Sequence, residues 1–287
     1  MTAFAYSAGT VRRELLAKPI ELMSQASPTP PLIRILRCLR LALHLAWIGF
    51  GAAIIYPLVS VERRSRLKQR WSYQILKILA VQLDAVPTDA PLGSLIVANH
   101  ISWLDIFAIH AVRPAAFIAK AEIRQWPFVG WLAERNDTVF LRRGSHGHAR
   151  VINTEIDALL NAGMDVAIFP EGTTTDGTHL LGFHAALLQP AVETGRPILP
   201  LALSYHDEQG NLSLAPSFAG DTTMMQCFSA ILACRSLTVR LNPAPAIDTT
   251  GKTRRELSRA AHVAIATRLG FPLASTPPEK SPDPQAG

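Results

Sequence analysis

Apolar and polar positions change rhythm twice along this chain, and the changes divide it. Residues 41–61 form an uncharged run of 21, interrupted only by the titratable His44. A helix of that length, at ~1.5 Å per residue, reaches across the ~30 Å hydrocarbon core of a bilayer. Just behind it Leu67, Trp71, Ile75 and Leu79 recur at the spacing of one helix face. From about residue 92 short apolar runs alternate with longer mixed stretches. The runs predict strands at 94–98, 115–119, 138–142, 166–169, 198–204 and 237–241. The mixed stretches predict helices at 102–112, 148–161, 184–193 and 254–269. Such alternation predicts an α/β fold: a mixed, largely parallel sheet covered by helices, preceded by an N-terminal membrane-attaching helical region. Four segments follow: a polar leader at 1–31, the membrane-attaching region at 32–84, the α/β domain at 85–270, and a Pro- and Ser-rich tail at 271–287 expected to be disordered.

Charge sharpens the picture. With 28 basic against 22 acidic residues the net charge is +6, which suits an anionic surface, either lipid or nucleic acid. Arg34, Arg37 and Arg40 precede the apolar run, and Arg63, Arg64, Arg66, Lys68 and Arg70 follow it. A basic belt beside an apolar helix reads as attachment to anionic headgroups. No aromatic residues interleave with the charge as in a nucleic-acid module, so no nucleic-acid partner is expected. Some forty residues precede the run and no small-residue cleavage site follows it, so it is not read as a signal peptide. Both flanks are positive and give no orientation. A simple crossing with the N-terminus inside would carry the α/β domain away from the cytosol. The expectation is therefore a helix, or a bent helix pair, dipping into the cytoplasmic leaflet of the inner (plasma) membrane. A single span with the N-terminus outside is the alternative.

Chemistry concentrates where two apolar runs stop. Asn99-His100-Ile101-Ser102-Trp103-Leu104-Asp105 follows the first, and Phe169-Pro170-Glu171-Gly172-Thr173 closes the second. Ligands of open α/β sheets bind beyond the carboxyl ends of the strands, so both turns belong to one candidate site. Histidine is the usual general base at neutral pH, improved by a carboxylate that fixes its tautomer. On one straight helix His100 and Asp105 would lie ~140° apart and could not meet. If the strand ends near Ala98 and a helix starts at Ser102, Asp105 can reach back to the imidazole. No G-x-S-x-G nucleophile elbow occurs, so the hydroxyl to be activated belongs to a substrate. Ser102-x-x-Asp105 is equally a capping box, and His100 alone could be a hydrogen-bonded core residue. Cys38, Cys227 and Cys234 are odd in number and scattered, which argues for a reducing compartment. Neither they nor the histidines show metal-ligand spacing, and no phosphate-binding glycine motif occurs; no metal or cofactor is expected. Lys120 ends another short strand, where it could put positive charge near a developing oxyanion or simply be solvated.

The chain resembles the glycerolipid (lysophospholipid) acyltransferases, typified by bacterial 1-acyl-glycerol-3-phosphate acyltransferase. Four motifs carry the resemblance in family order over roughly residues 92–205. They are NHISWLD; Asp137-Thr138-Val139-Phe140-Leu141-Arg142-Arg143; FPEGT; and Ile198-Leu199-Pro200-Leu201. The resemblance implies that His100 deprotonates the acceptor hydroxyl and Asp105 orients it. The hydroxyl then attacks the thioester of acyl-CoA or acyl-carrier protein, the donor substrates. Arg143, Glu171, Gly172 and Thr173 fall at or beside the implied acceptor-binding positions. Arginine suits them by gripping phosphate with two parallel bonds, although Arg143 could equally form a surface ion pair. Two departures bear on the acceptor: Asp137 stands where the family often has glycine, and Thr173-Thr174-Thr175-Asp176 replaces a common Thr-Arg-Ser continuation. The Thr-rich version resembles the lyso-ornithine lipid acyltransferase branch. The reading leans narrowly to 1-acyl-sn-glycerol-3-phosphate, with a lyso-ornithine lipid as the alternative acceptor. A catalytically silent lipid-binding protein on the same fold is the second class.

Overall fold

The apolar run after Gly93 becomes a strand with no solvent on either face, and the sheet is built around it. In the computed structural model, which describes residues 28–141 and 146–272 and the side chains among them outside 141–152, this strand is β2 (Leu95–Ala98). Its residues alternate between two cores: Ile96 and Ala98 face one, Leu95 and Val97 the other. Before it come α1 (Pro31–Phe50), continued through a π turn (Gly51–Ile55) and a 3-10 turn (Tyr56–Leu58), then α2 (Val61–Ile78) and β1 (Val81–Ala85). After it come α3 (Leu104–Val112), β3 (Ala115–Lys120), α4 (Val129–Arg135), β4 (Val139–Leu141) and α5 (His146–Asn161). The chain closes with β5 (Asp165–Ile168), α6 (Gln189–Thr194), β6 (Ile198–His206), α7 (Met224–Ala233), β7 (Leu237–Pro243) and α8 (Arg254–Leu269).

The strands form one sheet in the order β1-β7-β6-β2-β5-β3-β4. Only β6 and β7 pair antiparallel; every other pair is parallel, so the mixed, largely parallel sheet read from the sequence is the observed one. From β2 the chain moves out to β3, returns to β5, and then crosses to β6 on the other side of β2. Beyond the carboxyl ends of β2 and β5 lies the crevice this reversal opens. Helices α1, α2, α3 and α7 pack on one face of the sheet, and α5, α6 and α8 on the other.

The N-terminal region departs from expectation in two ways. All of β1 but Ala85 falls inside the segment read as helical (32–84), but Ala80 takes a left-handed φ of 58° just past α2, and the next residues pair with β7. Lys68, counted in the basic belt, is turned inward: its Nζ donates to the Asn136 carbonyl at 3.3 Å and lies 3.6 Å from Asp137 Oδ2. Arg63, Arg66 and Arg70 stay exposed. The apolar stripe of α2 also faces inward, with Trp71, Ile75 and Leu79 all buried. Helix α1 behaves oppositely. Leu32, Ile35, Leu36, Leu39, Leu43 and Trp47 are 48–72% exposed, far too much apolar surface for a face bathed in water.

Both ends of the α1 segment are docked. Near its start Arg37 donates to the carbonyls of Cys234 and Arg235, at 2.7 and 2.8 Å, just beyond α7. Near its end Tyr56 stacks on Trp71 and donates to Asn136 Oδ1 at 3.2 Å. Nineteen residues separate Arg37 from Tyr56 (56 − 37), so the helix lies along the domain for ~28 Å.

Candidate active site

Strand β2 delivers Asn99 and His100 to its carboxyl end, and a short turn separates them from α3. The turn is shaped by Asp105, in the first turn of α3. Its Oδ2 accepts the backbone N–H groups of Ile101 and Ser102, at 2.7 and 2.9 Å, and His100 Nδ1 at 2.8 Å. Trp103 is the N-cap and no side chain caps the helix; the Asp105 carboxylate instead holds the preceding turn and orients the histidine. Asp105 is fully buried, while the His100 side chain keeps 20% of its surface. A carboxylate can only accept, so Nδ1 carries the proton and Nε2 presents a lone pair. The imidazole is held flat against Phe169, with ring centroids 3.9 Å apart.

Residues the sequence did not single out complete the pair. Tyr205, 100 residues downstream on β6 and fully buried, donates its phenol to Asp105 Oδ1 at 2.7 Å. Burial first, then the neighbouring carboxylate, raises that phenol well above its ordinary pKa, so it remains a donor. Asn99 clamps β2 to β6 by exchanging two bonds with the Leu203 backbone, at 2.7 and 3.0 Å. Its place in NHISWLD was a signal for it. Tyr205 left none, because it follows an apolar run that carries no motif of its own.

Glu171 and Gly172 arrive from the end of β5. Glu171 Oε1 accepts the His100 N–H and Oε2 accepts the Leu181 N–H, both at 2.9 Å. Both oxygens are thus engaged by backbone, and Glu171 ties the His100 turn to the following loop; burial raises its carboxyl above the ordinary value. Gly172 has φ of 71°, and a Cβ there would lie 3.1 Å from the His184 ring, so the turn needs glycine. Thr173 is exposed beside it. Thr175 N–H reaches the His100 carbonyl at 2.8 Å, and Thr174 Oγ1 donates to the Phe218 carbonyl. Lys120 ends β3 on the other side of β5, exposed. Arg143 lies outside the described residues, two positions past the end of β4. Among the described residues no cluster of three or more His, Cys, Asp or Glu could hold a metal. Cys227 lies beside the site: its Sγ donates to the Pro216 carbonyl at 3.3 Å, and burial raises its thiol.

Beside the Thr-rich loop opens a cavity of about 670 Å³. Thr174, Asp176 and His179 line one wall, and Leu214, Gln226 and Cys227 lie opposite. No lysine or arginine lines it among the described residues.

A histidine bonded to a buried carboxylate at the carboxyl edge of an α/β sheet is an arrangement suited to taking a proton from a substrate hydroxyl. Comparison with known proteins gives the class. A sequence model of the Acyltransferase family matches residues 78–204. The chain is 36% identical over 242 residues to the lyso-ornithine lipid O-acyltransferase of Pseudomonas aeruginosa, covering 82% of this chain and 91% of that one. It is 43% identical over 183 residues to the 1-acyl-sn-glycerol-3-phosphate acyltransferase of Neisseria meningitidis, covering 63% and 71%. The crystal structure of the 1-acyl-sn-glycerophosphate acyltransferase PlsC from Thermotoga maritima shares the fold, with TM-score 0.60, 23% identity and coverage of 83% and 96%. This chain belongs to the acyltransferase family.

Proposed function

We propose that this membrane-associated acyltransferase moves a fatty acyl group from the thioester of acyl-CoA or acyl-carrier protein to the free hydroxyl of a lysolipid, with His100 as general base. The observation that carries the reading is the 2.8 Å bond from His100 Nδ1 to Asp105, which leaves Nε2 as the proton acceptor. The acceptor O–H gives its proton to Nε2 while its oxygen attacks the thioester carbonyl carbon. Collapse of the tetrahedral intermediate breaks the C–S bond, and the imidazolium returns the proton to the departing thiolate. Asp105 stabilises the imidazolium throughout.

Two acceptors are in play. Arg143, in its motif position, and the Neisseria relative support 1-acyl-sn-glycerol-3-phosphate, whose phosphate it would grip. The cavity beside the Thr-rich loop supports the second reading, a lyso-ornithine lipid. It offers Asp176 and no lysine or arginine among the described residues, which suits a headgroup with an ammonium better than a phosphomonoester. Purified protein, a labelled acyl thioester and both lysolipids decide the matter, with products identified by mass. Transfer to either lysolipid supports the general reading. Thioester hydrolysis without transfer to any lysolipid overturns it. The Thr174→Arg variant separates the two: added positive charge raises use of the phosphate acceptor in the first case and lowers or leaves turnover in the second.

Helix α1 supports attachment in the plane of one leaflet rather than a span. With both ends docked on the same domain it has no free length to cross a bilayer. Cytosolic thioester donors then place the enzyme on the cytoplasmic face of the inner membrane.

A further inference from the structure

The connection from β3 to β4 carries a second exposed apolar feature that catalysis does not use. Trp126, Pro127, Phe128 and Val129 form its tip. Trp126 is 51% exposed, Phe128 41% and Val129 48%. The tip is held in shape rather than loose. Gly130 N–H reaches the Trp126 carbonyl at 2.9 Å, and a Cβ on Gly130 would lie 2.3 Å from the Arg124 carbonyl, so the loop closes only over glycine. Phe128 takes φ of 63° and ψ of −54° at the centre of a γ-turn closed by Val129 N–H on the Pro127 carbonyl at 2.7 Å, a strained backbone that a bulky side chain avoids. Packing on Trp131, at 6.2 Å between ring centroids, covers only part of the ring, and the share left exposed on a strained backbone calls for an explanation.

Its position supplies one. The Phe128 ring lies against Gly49, where an added Cβ would come within 2.8 Å of it. Gly49 sits in α1 between Trp47 and Phe50, which stack on each other and are each about half exposed. Gly49 itself is buried, ~100° round the helix from Phe50, so the tip packs on the flank of α1 beside the exposed face that carries Trp47 and Phe50. The far end of the same connection is fastened to the helix pair by Tyr56 on Asn136 and by Lys68 on Asp137. Arg124 and Arg135, both exposed, flank the apolar tip in the chain, Arg124 already paired with Glu134 at 2.6 Å.

We propose that the Trp126–Val129 tip inserts into the same lipid leaflet as α1, as a second anchor that sets the tilt of the domain on the membrane. Its partner is the bilayer surface itself, and the argument is continuity with the exposed face of α1. Two anchors define a plane where one helix defines only a line. The tip lies between β3 and β4, so its immersion fixes the height of Lys120, and of the strand leading to Arg143, relative to the lysolipid headgroups. The inference rests on the membrane attachment by α1 argued above.

The full chain reconstituted on vesicles of phosphatidylethanolamine and phosphatidylglycerol carrying bromine on the acyl chains tests it. Bromine quenches indoles that reach the hydrocarbon, and the five tryptophans are separated by removing them singly. Trp126→Phe and Trp47→Phe should each abolish a distinct share of the quenching. If Trp47→Phe removes quenching and Trp126→Phe removes none, α1 is the sole anchor and the proposal falls. If neither does, the attachment through α1 falls with it. Trp126→Asp should then lower turnover of vesicle-borne lysolipid about tenfold and leave turnover of a dispersed short-chain lysolipid unchanged. Trp126→Ser is the gentler variant if the aspartate fails to fold. Equal losses on both substrates would make the tip a structural element of the active site and overturn the proposal.

Discussion

Two buried carboxylates sit at opposite edges of the same sheet, and they are built almost alike. Asp165, at the amino end of β5, accepts the Ser94 N–H at 2.9 Å and two Arg113 bonds, at 2.6 and 2.9 Å. Asp105, beyond the carboxyl end of β2, accepts two N–H groups, a tyrosine hydroxyl and His100. Each is almost wholly removed from solvent, and each holds a backbone turn in place. The difference is the nitrogen partner. Arginine keeps its charge at any pH a protein meets and cannot take up a proton. Histidine can accept one, and its second nitrogen is the one proposed above to take it from the substrate. A carboxylate and its N–H donors hold a staple at one end of the strands and the proposed base at the other.

Substitution should pull the two apart. His100→Ala is expected to lower turnover by a factor on the order of 10² to 10⁴ without unfolding the protein, since a general base is lost from a side chain that packs only in part. Near-wild-type turnover in the folded variant would remove His100 from the mechanism. Asp105→Asn should lose a comparable factor and stability as well, because its Oδ2 also holds the turn; thermal melting and turnover measured together register both. Asp165→Ala should do the reverse. It leaves Arg113 largely buried without its carboxylate, at ~3–5 kcal/mol of stability, while kcat of the folded fraction stays near wild type. A matching collapse of kcat there would show the two edges to be coupled.

Tyr205 gives a finer cut. Tyr205→Phe leaves Oδ1 without its donor, so the carboxylate that aims the imidazole loses one of its fixed bonds, and kcat/KM should fall about tenfold. Stability should fall by about 1–3 kcal/mol in parallel. A stability loss with unchanged kcat/KM in the folded fraction would reduce Tyr205 to a packing residue.

The sequence made visible what depends on local pattern. Apolar runs that stop at polar turns marked the ends of β2 and β5, and with them His100, Asp105, Glu171 and Gly172. The helix read at 254–269 matches α8 because Thr253 and Glu256 form a capping box and Gly270 ends the helix with φ of 72°. Other features needed the third dimension. Tyr205 meets Asp105 only because β6 lies beside β2, and nothing in the run 198–204 distinguishes its neighbour. Helix α7 and the short α4 were not read, since their apolar residues resemble those of any buried segment. The Lys68 charge looks like its neighbours in the sequence; only its place on the inner face of α2 sets it apart.

That inner lysine supports the smallest effect expected. Arg63, Arg66 and Arg70 are exposed along α2 and are the residues free to meet anionic headgroups. Each such charge is worth ~1 kcal/mol at a membrane surface, so replacing all three with glutamine should weaken binding to anionic vesicles, and more at low salt, where screening is least. The loss stays partial because the apolar face of α1 remains. Lys68→Met should leave vesicle binding as it was. Its ammonium is already bonded to Asn136 and Asp137 inside the fold, and burial lowers its pKa, so it offers nothing to the lipid. Co-sedimentation of the triple variant and Lys68→Met over a salt series checks both. If Lys68→Met lost as much binding as the triple variant, the inward placement of that lysine could not hold for the membrane-bound enzyme.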